Sequence, residues 1–367
     1  MPMTSDQSAL ARRRLSLGIT NVGFWVLSAV AGLGWLAGNP DGGSSSFPLG
    51  LAVGMGLAIV SVQAVFDFLG GFVLIPTRHP QPLEFLRRWV RGIVAHSLVL
   101  AGVGLVGMMS LQWTGGFCVG LVLSTVALAF GRSLLHRIIA GASIREVTLE
   151  SGETLLATPV EDPSFTGSIV GWGRRAKSLL PARWMDALPA AERAAELYRR
   201  RWQIAQGLPV RAFLLILFWN LLGTFLGTMV FNLADRPPGL ALMGHACWMT
   251  LWTFLSLLVM PTVSRGAVFA ADRAAADAGV DPRSWIRLFP QFTGEDGSPR
   301  AAIQNIFYPI PSAQTRLERL AFSPPGFVAG NLARSNLYYS WASFTLLGRA
   351  VHCNVGRPSL WVFPPSS

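Results

Sequence analysis

Six long apolar runs separated by polar links set the plan of this chain: Leu15–Gly38, Leu49–Ile75, Gly92–Leu111, Gly115–Phe130, Val210–Leu233 and Leu240–Val263. Runs of this kind are predicted to cross a bilayer as helices, because a helix satisfies its own backbone groups in hydrocarbon. The links differ in character. Asn39–Pro48 is rich in Gly and Ser, Pro76–Arg91 is basic and Pro-rich, a tight turn falls at Trp113-Thr114, and Asp235–Gly239 is short. Ala11–Arg14 precedes the first run. It reads as the basic flank of a retained span in preference to a twin-arginine export signal, since the run is long and no small-residue cleavage site follows.

The polar region between the fourth and fifth runs changes period. Ile144–Glu150 and Glu153–Pro159 flank Ser151-Gly152 and predict a hairpin, and Ser164–Trp172 predicts a glycine-broken strand. Ala190–Gln206 reads as a charged helix with Pro189 at its start and a Glu196–Arg200 pair four apart. After the sixth run, Ser264 is expected to cap a new helix that Gly279 ends, and Asp281-Pro282 to start another. Val268, Ala271, Asp272, Ala275 and Ala278 share one face of the first of these, so Asp272 is a carboxylate on a stripe of small apolar residues. A Gly/Asp/Ser loop near Glu295–Ser298, a helix near Ala313–Ala321 and a tail follow. Within the tail Leu337–Leu347 is apolar but too short to span.

These elements predict a mainly α, polytopic membrane protein of six spans with a cytoplasmic α+β region. Its expected divisions are a four-span region (1–140), a cytoplasmic hairpin and helix (141–207), two further spans (208–263), a helical region (264–325) and a C-terminal tail (326–367). Composition agrees: 51% of the 367 residues are hydrophobic and 13% charged, at a mean hydropathy of +0.44. The net charge of +11 has a topological explanation. Of the 30 Lys and Arg, all but Arg236 fall in segments that an even number of spans leaves on one side or, for Arg211, at that side's edge of the fifth run. The positive-inside rule makes that side the cytoplasm, with both termini in it, in what is expected to be a bacterial inner membrane. Attraction to anionic lipid headgroups follows, and nucleic-acid binding is not needed to explain the charge. Three cysteines make no disulfide framework, and no G-x-S-x-G or P-loop is present.

The stretch Ser264–Pro282 resembles the segment after the last span of the membrane zinc endopeptidases, the family of the CAAX prenyl proteases and the bacterial heat-shock membrane protease. That family reads S-R-x-x-E-x-x-A-D there, then a glycine and a D/N-P turn. This chain has Ser264, Arg265, Ala271, Asp272, Gly279, Asp281 and Pro282 in place, but Val268 stands where the family has its zinc-ligating Glu. Leu188–Glu192 is similar to the family's lead-in to an H-E-x-x-H helix. Counting on, the two His positions fall on Arg199 and Gln203 and the general-base Glu on Arg200. Ile310 replaces the His of a third element, whose Pro311 and Arg316-Leu317 remain. The resemblance covers roughly Ile144–Leu320. It implies a metallopeptidase-like fold without the polar groups that bind zinc, hence a pseudoenzyme with no metal, no cofactor and no catalytic residue. It also implies that Asp272, which in the family supports a zinc-binding His, pairs here with Arg199 or Arg200.

Other residues carry other readings. Asp67 lies inside the second run, where an ionisable group is a candidate proton carrier or ion ligand, or else a carboxylate satisfied by a neighbouring Arg or His. His96 and His245 are candidate relay members or buried, satisfied imidazoles. Asn220, Gly223 and Gly227 read as helix-packing residues. Arg199–Arg201 is a candidate phosphate or lipid-headgroup site or a solvated helix face. The expected function is that of an integral membrane pseudopeptidase, a non-proteolytic binding or regulatory protein with a membrane-protein partner or lipid headgroup. One alternative is an active zinc endopeptidase with unusual ligands from among His136, His352, Cys353, Glu192 and Asp272. Another is a transporter or channel built on Asp67, His96 and His245.

Overall fold

The computed structural model describes residues 5–39, 49–75, 81–111, 113, 115–149, 152–293, 307–322 and 328–364. Most of Asn39–Pro48, the start of Pro76–Arg91, Thr114, Ser151 and the Glu295–Ser298 loop lie outside them.

Helix α1 is Ser5–Gly38 and α2 is Leu49–Phe68, which runs on as a π-helical turn, Leu69–Val73. Then come α3 (Pro82–Ser110) and α4 (Gly116–Ala140). A small sheet follows, made of β1 (Arg145–Thr148), β2 (Thr154–Thr158), β3 (Ser168–Val170) and β4 (Lys177–Pro181). Helices α5 (Arg183–Ala187), α6 (Ala190–Ala205), α7 (Leu208–Phe231) and α8 (Pro238–Asp277) complete the large elements. Shorter helices are α9 (Arg283–Thr293), α10 (Ala313–Arg319) and α11 (Leu332–Tyr339).

Five helices, α1, α3, α4, α7 and α8, are long and apolar enough to cross a membrane. The described apolar part of the second run, Leu57–Val73, is shorter than these. Helix α3 begins ten residues before the apolar run, since Pro82 starts it at a position where a missing N–H costs nothing. Arg236, the isolated cation, donates to the carbonyls of Leu36 and Asn39 at 3.4 and 3.2 Å. It thereby caps the end of α1, where a positive charge meets unpaired carbonyls. That contact, and the cluster of Leu36, Phe117, Leu233 and Leu240, put the α1 end, the α3–α4 turn and the α7–α8 link at one end of the bundle.

The sheet has the order β1-β2-β4-β3. The expected hairpin pairs Arg145 with Ala157 through Thr148 with Thr154. Strand β4 was not legible: it enters between β2, to which it is parallel, and β3, to which it is antiparallel. The strand begins on Lys177 and Ser178 and ends on Pro181, so it shows no alternation, and a parallel pairing across a crossover leaves no local pattern. One sheet face, α6 and α9 enclose Leu155, Leu180, Trp184, Trp285, Phe289 and Ile310.

Two expectations need correction. Ser264 does not cap a helix. It lies inside α8, a single helix of 40 residues that carries the sixth run and the Asp272 stripe without a break. Its hydroxyl donates to the Met260 carbonyl at 2.8 Å and accepts from the Ala333 N–H at 2.9 Å. Pro261 is accommodated within the helix, as prolines in membrane helices are, and the alanine-rich stretch beyond it favours continuation. The helix ends where expected. Gly279, at φ +78°, donates to Ala276, and Val280 donates to Ala275, a Schellman closure. The second correction concerns the expected C-terminal tail. Residues 328–364 are built into the centre of the molecule, with Tyr338, Trp341, Leu347, Val355 and Phe363 all at most 1% exposed. Helix α11 packs on α7 and α8, and the segment beyond it on α3 and α4.

Candidate functional site

The three motif segments converge. Asp272, 1% exposed, receives Arg316 through two hydrogen bonds of 2.8 Å, from Nε to Oδ2 and from Nη2 to Oδ1. Arg199 Nε approaches Asp272 Oδ1 at 2.7 Å as an ion pair, with its N–H not aimed along the contact. Arg199 Nη1 also donates to Glu196 Oε2 at 2.6 Å, one turn back on α6, and Arg200 Nε donates to Glu196 Oε1 at 2.6 Å. The result is a buried chain, Arg200–Glu196–Arg199–Asp272–Arg316, that ties α6, α8 and α10 together. Helical spacing of three and four places both arginines over Glu196, and the small residues of the α8 stripe let α6 approach closely.

Burial opposes the Arg199 charge, but Asp272 and Glu196 more than offset it and hold its pKa above the usual arginine value. Three guanidiniums face two carboxylates, so the cluster carries one surplus positive charge. Arg200 spreads its own over the carbonyls of Thr166 and Leu179, at 2.6 and 2.5 Å, which fastens the sheet to α6. Arg199 Nη2 has no hydrogen-bond partner among the described residues. Of the residues named from the sequence, Arg199 meets Asp272 and Arg200 does not. Sequence spacing pairs Glu196 with Arg200 alone and gives Arg316 no partner. Arg201 points outward to Glu153 at 3.3 Å.

The remaining motif positions are structural. Val268 is buried on α8, and Ile310 packs in the tryptophan cluster, a burial worth about 2 kcal/mol. Gln203 is half-buried near a cavity described below. Arg265 donates twice to the Tyr308 carbonyl, at 3.1 and 2.9 Å, and buried Pro311 precedes Ser312, the N-cap of α10. A zinc ion does not fit this donor set. Arg199, Gln203 and Val268 offer a cation, an amide and a hydrocarbon at the positions where the resemblance would put ligands, and the surplus positive charge repels a divalent cation. The other proposed ligands are scattered. His136 faces Thr158 at 3.3 Å, His352 lies tilted beside Tyr308, Cys353 accepts from Arg334 at 2.7 Å, and Glu192 sits in the first turn of α6. Among the described residues no three His, Cys, Asp or Glu side chains form a metal-binding group.

Asp67 is saturated. Gln63 Nε2 and the Gly356 N–H donate to Oδ1 at 3.0 and 2.8 Å, and Arg349 Nη2 and Trp89 Nε1 to Oδ2 at 2.7 and 2.9 Å. Four donors fill the four acceptor positions of a carboxylate. The ion partner comes from the C-terminal segment instead of a neighbouring span. Arg349 lies over the Trp361 ring at 4.1 Å and reaches His96 Nδ1 at 3.2 Å. His245 is elsewhere, stacked on Phe117 at 4.5 Å, so the three intramembrane candidates form no single relay. The backbone at Asp67 is equally closed. Gly356 has φ +68°, and a Cβ there would stand 1.9 Å from the Asp67 carbonyl oxygen; one on Gly71 would stand 2.0 Å from the Gly356 carbonyl oxygen. In α7, Gly223 and Gly227 accept the indoles of Trp252 and Trp248 from α8, as packing glycines do, whereas the buried Asn220 amide has no partner among the described residues.

Compared with known proteins, the chain matches no family model, no curated protein and no solved structure. The likeness to membrane zinc endopeptidases therefore rests on the sequence motifs quoted above.

Proposed function

We propose that this is an integral membrane pseudopeptidase, a binding or regulatory protein that keeps the frame of a membrane zinc endopeptidase and has replaced its metal centre with an ion-pair clamp. Six spans, with both termini and the sheet layer on the cytoplasmic side of a bacterial inner membrane, complete the reading. The observation that carries it is the Arg199–Asp272–Arg316 contact, at 0–1% exposure, formed by the segments where the resemblance puts ligands and their support. A carboxylate held by two guanidiniums is neither a metal ligand nor a general base at neutral pH, and it welds the two halves of the cytoplasmic layer that α7 and α8 separate. Such a layer suits holding a partner more than turning over a substrate.

The test is proteolysis of a membrane-protein or prenylated-peptide substrate pool by the full chain in proteoliposomes, with and without a zinc chelator. No chelator-sensitive cleavage is expected. Cleavage that the chelator stops, and that Asp272→Asn abolishes, contradicts the proposal.

A further inference from the structure

A cavity of about 220 Å³ lies beside the clamp, between α4, the start of α7, α11 and the β3 edge. Arg132, Arg200 and Arg334 line it together with Gln203, Ser133 and Tyr339. Among the described residues no Asp or Glu does. Arg200 shares its charge with Glu196 behind the wall. Among the described residues Arg132 has no carboxylate partner: it donates from Nε and Nη2 to the Val362 carbonyl, at 3.3 and 3.1 Å, and lies 4.4 Å from the Phe363 ring centroid. Leu208 and Pro209 add the amino end of α7, a helix of 24 residues whose dipole points its positive end at the same space.

A concave positive field with hydroxyl and amide donors and, among the described residues, no acid is complementary to a tetrahedral oxyanion. The depth narrows the choice further. The apolar run of α4 stops at Phe130 and that of α7 starts at Val210, and Phe130, Arg132 and Pro209 all line the cavity. It therefore opens where the apolar surfaces of two spans give way to polar ones, the level of headgroup phosphates. Phe130, 77% exposed, stands at its edge as an apolar wall for a lipid chain.

We infer that this cavity is a binding site for a phosphate group, held by Arg132 in the positive field of Arg200 and Arg334, with Gln203 and Ser133 at its rim. The inference is independent of whether the clamp replaced a metal. The phosphate belongs either to an anionic phospholipid of the facing leaflet or to a soluble phosphate ester, and the experiment separates them.

Full-length protein is placed in nanodiscs of phosphatidylcholine with or without phosphatidylglycerol, and retained lipid is counted by native mass spectrometry. Inorganic phosphate is titrated separately in detergent with thermal unfolding as the readout. Ser133→Glu and Gln203→Glu set a carboxylate at the rim; Arg132→Gln removes the central charge. Arg137→Glu, on the exposed face of α4, controls for diffuse surface attraction. Retention of phosphatidylglycerol about tenfold over phosphatidylcholine, lost in Ser133→Glu and Gln203→Glu but kept in Arg137→Glu, establishes the lipid source. Stabilisation by inorganic phosphate with the same variant pattern, and no lipid preference, establishes the soluble source. If Arg132→Gln does not fold, the two rim variants decide alone. Neither ligand binding the wild-type chain, binding unchanged in folded Ser133→Glu and Gln203→Glu, or an equal loss in Arg137→Glu overturns the site.

Discussion

Changing Asp272 to Asn isolates the clamp. The substitution keeps the size of the side chain and removes one of two carboxylates that face three buried guanidiniums. Arg199 keeps Glu196 at 2.6 Å, but Arg316, itself 1% exposed, loses both bonds to a carboxylate and, among the described residues, the only acid that holds it. The surplus charge in the cluster rises from one to two. Removing one partner of a buried pair typically costs about 3–5 kcal/mol, against roughly 0–1 for an exposed pair. For a chain of this size that corresponds to a fall in Tm of roughly 4–6 °C. Tryptophan fluorescence on detergent-purified protein measures it, since Trp184 and Trp285 lie under the same layer. Arg316→Met should also destabilise. The double variant should lose about 0.5–3 kcal/mol less than the two single losses added together, because it leaves no unpaired charge at that end. A loss below about 1 kcal/mol for Asp272→Asn, or strict additivity in the double variant, would refute the clamp as a buried, coupled unit.

Three further outcomes follow from other contacts. Burial alone would raise the Asp162 pKa, but two bonds from Arg357 and the Ser164 N–H hold it below its ordinary value of 3.8. Its contribution is therefore complete above that value and lost as pH falls through the lower folded one, so Asp162→Asn should flatten the fall of Tm below about pH 4. Gly356→Ala, whose Cβ meets the Asp67 carbonyl, should release the C-terminal segment and make it the first site of limited proteolysis, while a protected segment would refute the close approach. In a chain with Cys118, Cys247 and Cys353 replaced, an impermeant thiol reagent on intact cells should label Ala234→Cys and not Lys177→Cys; the reverse contradicts the proposed orientation.

What the sequence revealed and concealed divides along physical lines. Long apolar runs, the Ser151-Gly152 hairpin and the Gly279 stop are local signals, and each has its counterpart among the described elements. The meeting of Arg199 with Asp272 was legible because a carboxylate on a stripe of small residues needs a cation, and only one neighbouring helix supplied a run of them. Arg316 was concealed as the second partner because nothing local tells a buried arginine from an exposed one. The continuity of α8 was concealed by Ser264, whose hydroxyl serves equally to cap a helix or to bond back within one. The C-terminal segment was misread most. It has no helical or strand period, and its Arg349 and Arg357 suggest solvent. Their partners, Asp67 and Asp162, lie some two to three hundred residues away. A segment threaded into the core by scattered aromatic side chains and long-range ion pairs leaves no periodic trace.

The proposed replacement of a metal centre by the ion-pair clamp is tested most directly by metal content. Full-length protein is purified without chelator from cells grown with added zinc, and the zinc per chain is measured by mass spectrometry of the metal. Far less than one zinc per chain is expected, unchanged in Asp272→Asn. About one zinc per chain, retained through gel filtration and removed by a chelator, contradicts an ion-pair clamp in place of the metal.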